Sequence, residues 1–343
     1  MRRREFLSAA TFLKALPGYR YQFPRDHFSH PEFQTEWWYY TGNLATETGR
    51  RFGFELTFFR QALQPSVEGK SVWTTRDAYM AHLALTDVEG KRFLHAERLN
   101  RPGPGVAGVD AGRQRIWNGN WSCELTPAAH TLRAVDERFG FELELRPGKP
   151  FVVHGVDGVS QKGAASGQAS HYVSFTRMFT SGKLMLGKES LEVNGESWMD
   201  HEYFSADLDA GLAGWDWFSI QLENNTELML YRLRRKDGGM DRYSAGSFID
   251  ASGKVTHLGN GDVVLTPGRR WGVYPVEWEI AVPKFGVALR ARPLMDEQEL
   301  VSKSKLAPTY WEGAVRFEGS HRGVGYLEMT GYRADLRLGG GGG

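Results

Sequence analysis

A carboxylate followed by four consecutive aromatic residues constrains the fold of this chain more than any other feature. The segment reads Glu36, Trp37, Trp38, Tyr39 and Tyr40. Side chains of a β-strand alternate between faces, so Glu36, Trp38 and Tyr40 share one face, and Trp37 and Tyr39 share the other. A strand with large rings on both faces must be covered on both sides. We therefore predict a barrel wall with an aromatic lumen that carries a few polar groups.

The rest of the chain repeats short segments with β-type patterning. Runs such as Phe52–Phe59 and Trp215–Leu222 are separated by turns rich in Gly, Asp, Asn and Pro. Helical periodicity never persists beyond about three turns, and the best short helical candidate is Asp296–Lys303. Two stretches rich in small residues, 103–112 and 160–170, are predicted surface loops. Strands at this density predict an all-β protein built from sandwiches or barrels.

Composition sets broad limits on the protein. A length of 343 residues fits about two domains. The 41% hydrophobic and 24% charged residues supply a core and argue against disorder. A net charge of +1 gives no reason to expect nucleic acid as a partner. Cys123 is the single cysteine, which excludes an internal disulfide framework.

The N-terminus has the pattern of a twin-arginine export signal. Arg3 and Arg4 are followed by Phe6, Leu7 and a short apolar stretch. We therefore predict a leader at residues 1–20 and a periplasmic or secreted protein, with a basic cytoplasmic tail as the alternative. No later segment approaches the roughly 18 apolar residues that a membrane-spanning helix needs.

A domain boundary is predicted where the stretch 206–214 interrupts the strand pattern. This boundary gives an N-terminal domain at 21–205 and a C-terminal domain at 206–338. The glycines at 339–343 are predicted to form a disordered tail.

Several long motifs recur in this order in one known family. They are Phe33–Leu44, Ser170–Arg177, Gly195–Tyr203, Trp215–Leu222, Tyr274–Trp278, Tyr310–Gly313 and Gly325–Tyr332. On these motifs the chain resembles the AttH-like group of predicted secreted hydrolases, which is related to the carotenoid 1,2-hydratases. The resemblance extends over nearly the whole chain, and it implies two tandem lipocalin-like antiparallel β-barrel domains packed together.

The hydratase branch of this family adds water to an isolated alkene at the end of a polyene, without a metal or redox cofactor. A buried carboxylic acid protonates the alkene, and aromatic faces stabilise the resulting cation. The resemblance implies that Asp200 is the acid, that Trp198 is the aromatic residue of an aromatic-x-Asp motif, and that His171 is an upstream histidine. The hydratases carry a tyrosine at the position of Trp198.

The predicted catalytic residues are therefore Asp200 and His171, with Asp216 as the runner-up acid. The predicted substrate-binding residues are Glu36, Trp38, Tyr40, Trp198, Tyr203, Trp215 and Trp217. Each also has a structural interpretation. Asp200 could form a salt bridge with Arg177, His171 could be a hydrogen-bonded barrel residue, and the tryptophans could be ordinary core.

No metal ion or other cofactor is predicted. His171, Asp200, His201 and Glu202 are of types that bind zinc, but neighbours on a strand alternate faces, so only Asp200 and Glu202 could converge. The chain also lacks the Gly-x-Ser-x-Gly motif of serine hydrolases.

Three hypotheses for the function follow. The first is a cofactor-independent enzyme that hydrates or cyclises a hydrophobic polyene or isoprenoid by acid catalysis. The second is an exported lipocalin-like carrier that exchanges a hydrophobic ligand with a membrane transporter. The third is an interaction module whose cavity is filled by its own side chains.

Overall fold

The computed structural model describes residues 11–63, 75–205, 209–302 and 309–334. Nearly all regular structure in these ranges is β. The short 3₁₀ helices are Arg25–His27, Asn260–Asp262 and Pro283–Phe285. Within the same ranges, no helix combines the length and the apolar character that crossing a membrane requires.

The N-terminal sheet is antiparallel and curls into a barrel-like wall. Its strands are β1 (Thr35–Ala45), β2 (Arg51–Ala62), β3 (Asp77–Asp87), β4 (Arg92–Asn100), β5 (Ala107–Asp110), β6 (Arg115–Asn118), β7 (Trp121–Leu125), β8 (His130–Val135), β9 (Phe139–Pro147), β10 (Val152–Val153), β11 (Ser160–Gln161), β12 (Ala169–Leu186) and β13 (Glu189–Phe204). The order is β4-β3-β2-β1-β13-β12-β9-β8-β7-β6-β5. Asn118 on β6 accepts hydrogen bonds from Arg98 at 3.0 Å and Asn100 at 2.6 Å on β4, which brings the two ends of the sheet together.

The C-terminal sheet repeats this architecture. Its strands are β14 (Leu212–Leu222), β15 (Glu227–Arg235), β16 (Ala245–Ile249), β17 (Val255–Leu258), β18 (Val264–Pro267), β21 (Trp278–Val282), β22 (Val287–Pro293), β23 (Glu299–Leu300), β24 (Tyr310–Gly319) and β25 (Gly323–Met329), and a separate pair is formed by β19 (Arg270–Trp271) and β20 (Tyr274–Pro275). The order is β17-β16-β15-β14-β25-β24-β22-β21-β18. The two barrel-like sheets confirm the predicted all-β fold of tandem lipocalin-like barrels.

Three local predictions were wrong. Residues 296–302 of the helical candidate form no helix and contain strand β23. The predicted loop 103–112 contains β5, and the predicted loop 160–170 contains β11 and the start of β12. These short strands are stabilised by pairing with β24, β6 and β12, and such pairing has no local sequence signal.

Each barrel has a packed apolar core on its inner face. Trp38, Phe54 and Phe141 belong to the N-terminal core, and Phe218 and Trp278 belong to the C-terminal core. All five side chains are essentially inaccessible to water. The aromatic lumen predicted for the first barrel is therefore occupied by the protein's own side chains at these positions.

The outer faces of the two sheets pack against each other around a third apolar cluster. Its buried members are Tyr39, Tyr172, Trp198, Leu212, Trp217, Met229, Tyr231, Leu233, Ala314 and Tyr326. Beside it, Glu227 of the second barrel accepts hydrogen bonds from Arg177 at 2.6 Å and Lys149 at 2.8 Å of the first. Because these charges are buried and paired, they fix the position of one barrel on the other.

The N-terminal segment lies against the first barrel. Residues 11–20, which belong to the predicted leader, include the fully buried Ala15. The backbone N–H groups of Leu13 and Gly18 donate to the backbone carbonyl oxygens of Glu32 and Asp157, each at 2.9 Å. The twin-arginine pattern itself lies outside the described residues.

Candidate active site between the two barrels

Strand β13 separates its polar residues between two faces. Asp200 is paired with Tyr39 of β1, and the next residue, His201, is paired with Trp38. Paired residues of an antiparallel sheet point to the same side. Asp200 therefore faces the second barrel together with Tyr39, whereas His201 faces the interior of the first barrel.

Three donors surround the Asp200 carboxyl, which is 3% exposed. The Tyr172 hydroxyl donates to Oδ2 at 2.6 Å, and the Trp198 indole N–H donates to Oδ1 at 2.6 Å. The Ser174 hydroxyl also donates to Oδ1. Ser174 is in turn 2.7 Å from Nε2 of His154, whose Nδ1 lies 2.9 Å from Ser247 of the second barrel. The carboxyl is thus held in one orientation by a network that spans both barrels.

Burial is the main influence on the ionisation of Asp200. It raises the pKa of this carboxyl to about 7, and the nearby Glu202 contributes in the same direction, while the Ser174, Tyr172 and Trp198 donors oppose the rise. An aspartate with this pKa exchanges a proton near neutral pH, which an ordinary surface aspartate does not do.

Aromatic rings form the surroundings of this carboxyl. The Trp217 indole N–H donates to the Tyr172 hydroxyl at 2.9 Å. The Trp217 ring stands edge-on to the rings of Tyr39 at 5.3 Å and Trp198 at 6.2 Å between centroids. Aromatic faces attract positive charge, by about 2 kcal/mol or more when they are shielded from water. The rings are therefore suited to stabilising a cation formed beside Asp200.

A second group of carboxyls comes mainly from the opposite barrel. Glu312 on β24 and Glu328 on β25 are paired residues, and Glu55 of β2 faces them from the first barrel. Burial raises the pKa of Glu328 to about 8 and that of Glu55 to about 7. Burial, followed by the charges of Glu328 and Glu55, raises the pKa of Glu312 well above its usual value. Because carboxyls this close cannot all be ionised, the group retains protons near neutral pH.

We call these three carboxyls, Asp200 and the surrounding rings of Tyr39, Tyr172, Trp198 and Trp217 the inter-barrel site.

One edge of the inter-barrel site is partly exposed to solvent. Trp37, Trp215 and Glu328 each retain part of their accessible surface, and the Trp215 indole N–H donates to Glu328 at 3.1 Å. Trp37 and Trp215 both pack against the cluster that contains Trp217. These three residues are the part of the inter-barrel site that is in contact with solvent.

The structure does not bring the predicted catalytic pair together. His171 is paired with Tyr203, on the face of the sheet opposite to Asp200. Its Nδ1 is 2.9 Å from the Gly158 carbonyl oxygen, and its ring lies 4.1 Å from that of Tyr19. Burial lowers the pKa of His171. His171 lies three positions along β12 from Ser174, which is paired with Asp200, and residues an odd number of positions apart on a strand point to opposite faces. His171 therefore packs against Tyr19 of the N-terminal segment and not beside Asp200.

The predicted substrate-binding residues also divide between the two faces. Trp198, Trp215 and Trp217 lie at the inter-barrel site together with Asp200. The remaining four lie on the inner face of the first barrel: Glu36, Trp38, Tyr40 and Tyr203. Among these four, the Trp38 ring stacks on His201, Tyr40 bonds to His130, and Tyr203 stacks on His30.

Glu36 lies at the centre of a buried ionic network. Its Oε2 accepts a hydrogen bond from Arg60 at 2.9 Å, and ring nitrogens of His30 and His201 each lie 2.9 Å from its Oε1. Burial alone would raise the pKa of Glu36, but the hydrogen bonds from His201 and His30 and the charge of Arg60 hold it well below the usual value.

Among the described residues, His30, Glu36 and His201 are also the group whose ligand-type atoms converge, within 4.8 Å of one another. The guanidinium of Arg60 already neutralises Glu36. His30 faces carboxylates with both ring nitrogens, Glu36 at 2.9 Å and Asp26 at 3.3 Å, which favours its protonated form. These residues fit an ion network better than a metal site.

Asp216 and Arg177 have different partners from those expected from the sequence. Asp216, the runner-up acid, faces the interior of the second barrel and bonds to Arg234 at 3.0 Å and Tyr332 at 2.8 Å. Arg177 pairs with Glu196 and Glu227, so the salt bridge suggested between Arg177 and Asp200 does not form.

Sequence reasoning missed part of the site. Strand alternation places Tyr39 on the face opposite to Glu36, Trp38 and Tyr40, and the predicted site does not include Tyr39. Glu312 and Glu328 lie inside the motifs Tyr310–Gly313 and Gly325–Tyr332, which carried the family resemblance. A glutamate beside aromatic residues in a recurring motif is the sequence feature that indicates such a site residue.

Comparisons with known proteins agree with this architecture. A family model described as AttH-like matches residues 14–332. A crystal structure of a protein from Nitrosomonas europaea that is assigned to AttH has 33% identity and a TM-score of 0.83, and the match covers 94% of this chain and 100% of that one. Among curated protein sequences no significant match is found.

Two more distant structures share the fold. Kievitone hydratase from Nectria haematococca has 14% identity and a TM-score of 0.70, with 94% of this chain and 99% of that chain covered. CghA bound to Sch210972 has 12% identity and a TM-score of 0.52, with 88% and 89% covered. At these identities the similarity concerns the fold.

Proposed function

This chain belongs to the AttH-like family, and we propose that it is a cofactor-independent enzyme that acts on a hydrophobic polyene or isoprenoid-type molecule at the inter-barrel site. The reaction is a protonation-driven hydration or cyclisation of an alkene, and Asp200 is the residue that exchanges a proton. A hydratase, kievitone hydratase, shares this fold, which is consistent with the proposed reaction class.

The environment of Asp200 carries this proposal. Its carboxyl is buried, titrates near neutral pH, and is oriented by Tyr172, Ser174 and Trp198. Protonation-driven hydration or cyclisation needs a group that exchanges a proton near neutral pH, and the carbocation that forms needs surroundings that exclude bulk water. The indoles of Trp198 and Trp217 provide such surroundings.

Incubation in deuterium oxide tests the proposal without knowledge of the natural substrate. A panel of farnesol, geranylgeraniol, retinol and lycopene is incubated with the protein, and products are analysed by mass spectrometry. We expect at least one alkene to return as a hydrated or cyclised product with a new carbon–deuterium bond. Asp200→Asn should lower this rate by roughly 100-fold or more, at a nearly unchanged melting temperature.

Glu192→Gln is the matched control, because Glu192 is an exposed carboxyl of the same strand. It should react like the wild type. Failure of Asp200→Asn to fold would assign Asp200 to structure, and equal rates in Asp200→Asn and the wild type would refute its chemical role.

The aromatic surface of the inter-barrel site also suits a second function, a carrier of hydrophobic ligands. Rings such as Tyr39 and Trp217 bind an apolar molecule without any need for proton transfer. A carrier would release a copurified lipid unaltered and would incorporate no deuterium into it. Its partner would be a membrane transporter that supplies or accepts the lipid.

Export remains a separate proposal that rests on Arg3 and Arg4. Replacing both by lysine should abolish recovery of a tagged protein from the periplasm if the twin-arginine pathway is used. Unchanged periplasmic recovery would remove this proposal.

A further inference from the structure

In the described part of the inter-barrel site, Glu55 and Glu312 each have one buried carboxyl oxygen without a hydrogen-bond partner. Glu312 is joined to the aromatic rings through Tyr39. The Tyr39 hydroxyl donates to its Oε1 at 2.5 Å, whereas its Oε2 has no hydrogen-bond partner. The residue is 1% exposed. A buried carboxylate oxygen without a donor is unfavourable, whereas the neutral, protonated carboxyl loses less by being taken out of water. Glu312 therefore suits the neutral form.

Asp200 has the opposite arrangement. Three donors converge on its two oxygens, from Tyr172, Ser174 and Trp198. A carboxylate accepts all three hydrogen bonds, and these donors favour the charged form of Asp200. Oδ2 accepts a single hydrogen bond and keeps one lone pair for a further proton.

Glu312 and Asp200 are connected through one set of aromatic residues. Glu312 bonds to Tyr39, and the Tyr39 ring contacts that of Trp217. Trp217 donates to Tyr172, and Tyr172 donates to Asp200. The same group of rings therefore contacts a carboxyl that suits the neutral form and a carboxyl that is hydrogen-bonded as a carboxylate.

From this geometry, and resting on the function proposed above, we propose that Glu312 donates the proton to the alkene and that Asp200 accepts the proton released later. In hydration, the Glu312 O–H bond breaks and its proton forms a C–H bond with the π electrons. Water then forms a C–O bond with the cation and loses a proton to Asp200. In cyclisation, a second alkene captures the cation, and a C–H proton passes to Asp200.

The ionisation of the two groups agrees with this division of roles. Burial and the neighbouring Glu328 and Glu55 raise the pKa of Glu312 well above its usual value, whereas the pKa of Asp200 is about 7. Groups whose environments separate their pKa values in one site take the acid and base roles. The partly exposed Glu328 lies beside Glu312 and can return a proton from solvent after each turnover.

Infrared difference spectroscopy tests the neutral state of Glu312 without any substrate. At pH 7 the wild type should show the C=O stretch of a protonated carboxyl, and Glu312→Gln should lose a component of this band. Glu279→Gln, which replaces an exposed carboxyl, should leave the band unchanged. A band that is identical in the wild type and Glu312→Gln would overturn the assignment of Glu312 as donor, whatever the protein's activity.

The pH dependence of turnover tests the roles. The wild-type profile should be bell-shaped, with a limb at lower pH from Asp200 and a limb at higher pH from Glu312. Glu312→Gln should lower the rate by roughly 100-fold or more and remove the high-pH limb, with retinol affinity changed by less than about threefold. Asp200→Asn should remove the low-pH limb.

The outcomes separate the two proposals. A wild type that incorporates no deuterium into any alkene refutes the proposed function. Deuterium incorporation at equal rates in Glu312→Gln and the wild type refutes the role of Glu312 alone.

If Glu312→Gln does not fold, the Tyr39→Phe variant is measured in its place. Loss of the Tyr39 hydroxyl bond should move the high-pH limb upward, and an unmoved limb contradicts the proposal.

Discussion

Two buried aspartates show how surroundings determine the chemistry of one residue type. Asp200 is held by neutral donors on the face between the barrels, whereas Asp216 bonds to Arg234 inside the second barrel. Burial raises the pKa of Asp216, and because arginine keeps its charge, the Arg234 guanidinium opposes this rise and favours an ion pair. Asp200 has no such partner and can exchange a proton.

Tyr172 connects Asp200 to the aromatic layer, and its hydroxyl can be removed by a single substitution. Tyr172→Phe deletes one of the donors that stabilise the Asp200 carboxylate, so the pKa of Asp200 should rise above about 7. The low-pH limb of the rate profile should move upward by on the order of one unit.

The control for this substitution is Tyr243→Phe, because the Tyr243 hydroxyl bonds to exposed Arg242. It should leave the profile in place. A limb that stays fixed or moves downward in Tyr172→Phe would mean that Tyr172 does not control the ionisation of Asp200.

At the scale of elements, strand β2 lies close against the second sheet at Gly53. A Cβ atom added at Gly53 would lie 2.7 Å from the Ala314 Cβ and 2.8 Å from the Tyr326 hydroxyl. These distances are too short for a real contact, so a larger residue would push the sheets apart.

Gly53→Ala should therefore destabilise the protein by about 1–3 kcal/mol in the free energy of unfolding, measured by urea denaturation. Gly261→Ala is the control, because a Cβ there meets no atom within 4 Å. It should change stability by less than about 0.5 kcal/mol. Equal stabilities of the two variants would show that the sheets can separate at this point without cost.

Strand alternation predicted correctly which residues of β1 share a face. Trp38 and Tyr40 lie in the core of the first barrel, and Trp37 and Tyr39 lie on the other side. The pattern did not indicate which face would be the site, because large rings occupy both. The Tyr39–Glu312 hydrogen bond joins residues 273 positions apart, and no local pattern indicates such a contact.

At the scale of the whole molecule, the inter-barrel site requires both barrels. The first barrel supplies Asp200 and Glu55, and the second supplies Glu312, Glu328 and Trp217. Tandem barrels were predicted from the resemblance, but the facing of their outer surfaces depends on tertiary packing. This packing buries carboxyls and raises their pKa values in the folded protein. The stability of the protein therefore depends on pH.

The contribution of Asp200 to this linkage is measurable. Its folded pKa is raised from 3.8 to about 7, so its ionisation opposes folding as pH rises between these values. Relative to the wild type, Asp200→Asn should gain on the order of 2–4 kcal/mol in free energy of unfolding between pH 4 and pH 8. Chemical denaturation of both proteins at each pH measures the difference in their free energies of unfolding. Titrating groups that the two proteins share cancel in this difference. A constant difference would contradict the raised pKa.

Photo-crosslinking with a diazirine derivative of farnesol, followed by peptide mass spectrometry, tests the location of the ligand site most directly. We predict that labels map to the inter-barrel site and its exposed edge, at residues such as Tyr39, Trp215, Trp217 and Glu328, and that excess farnesol suppresses them. Suppressible labels confined to the interior of the first barrel, at residues such as Trp38, Tyr40 and Phe141, would contradict a binding site between the barrels.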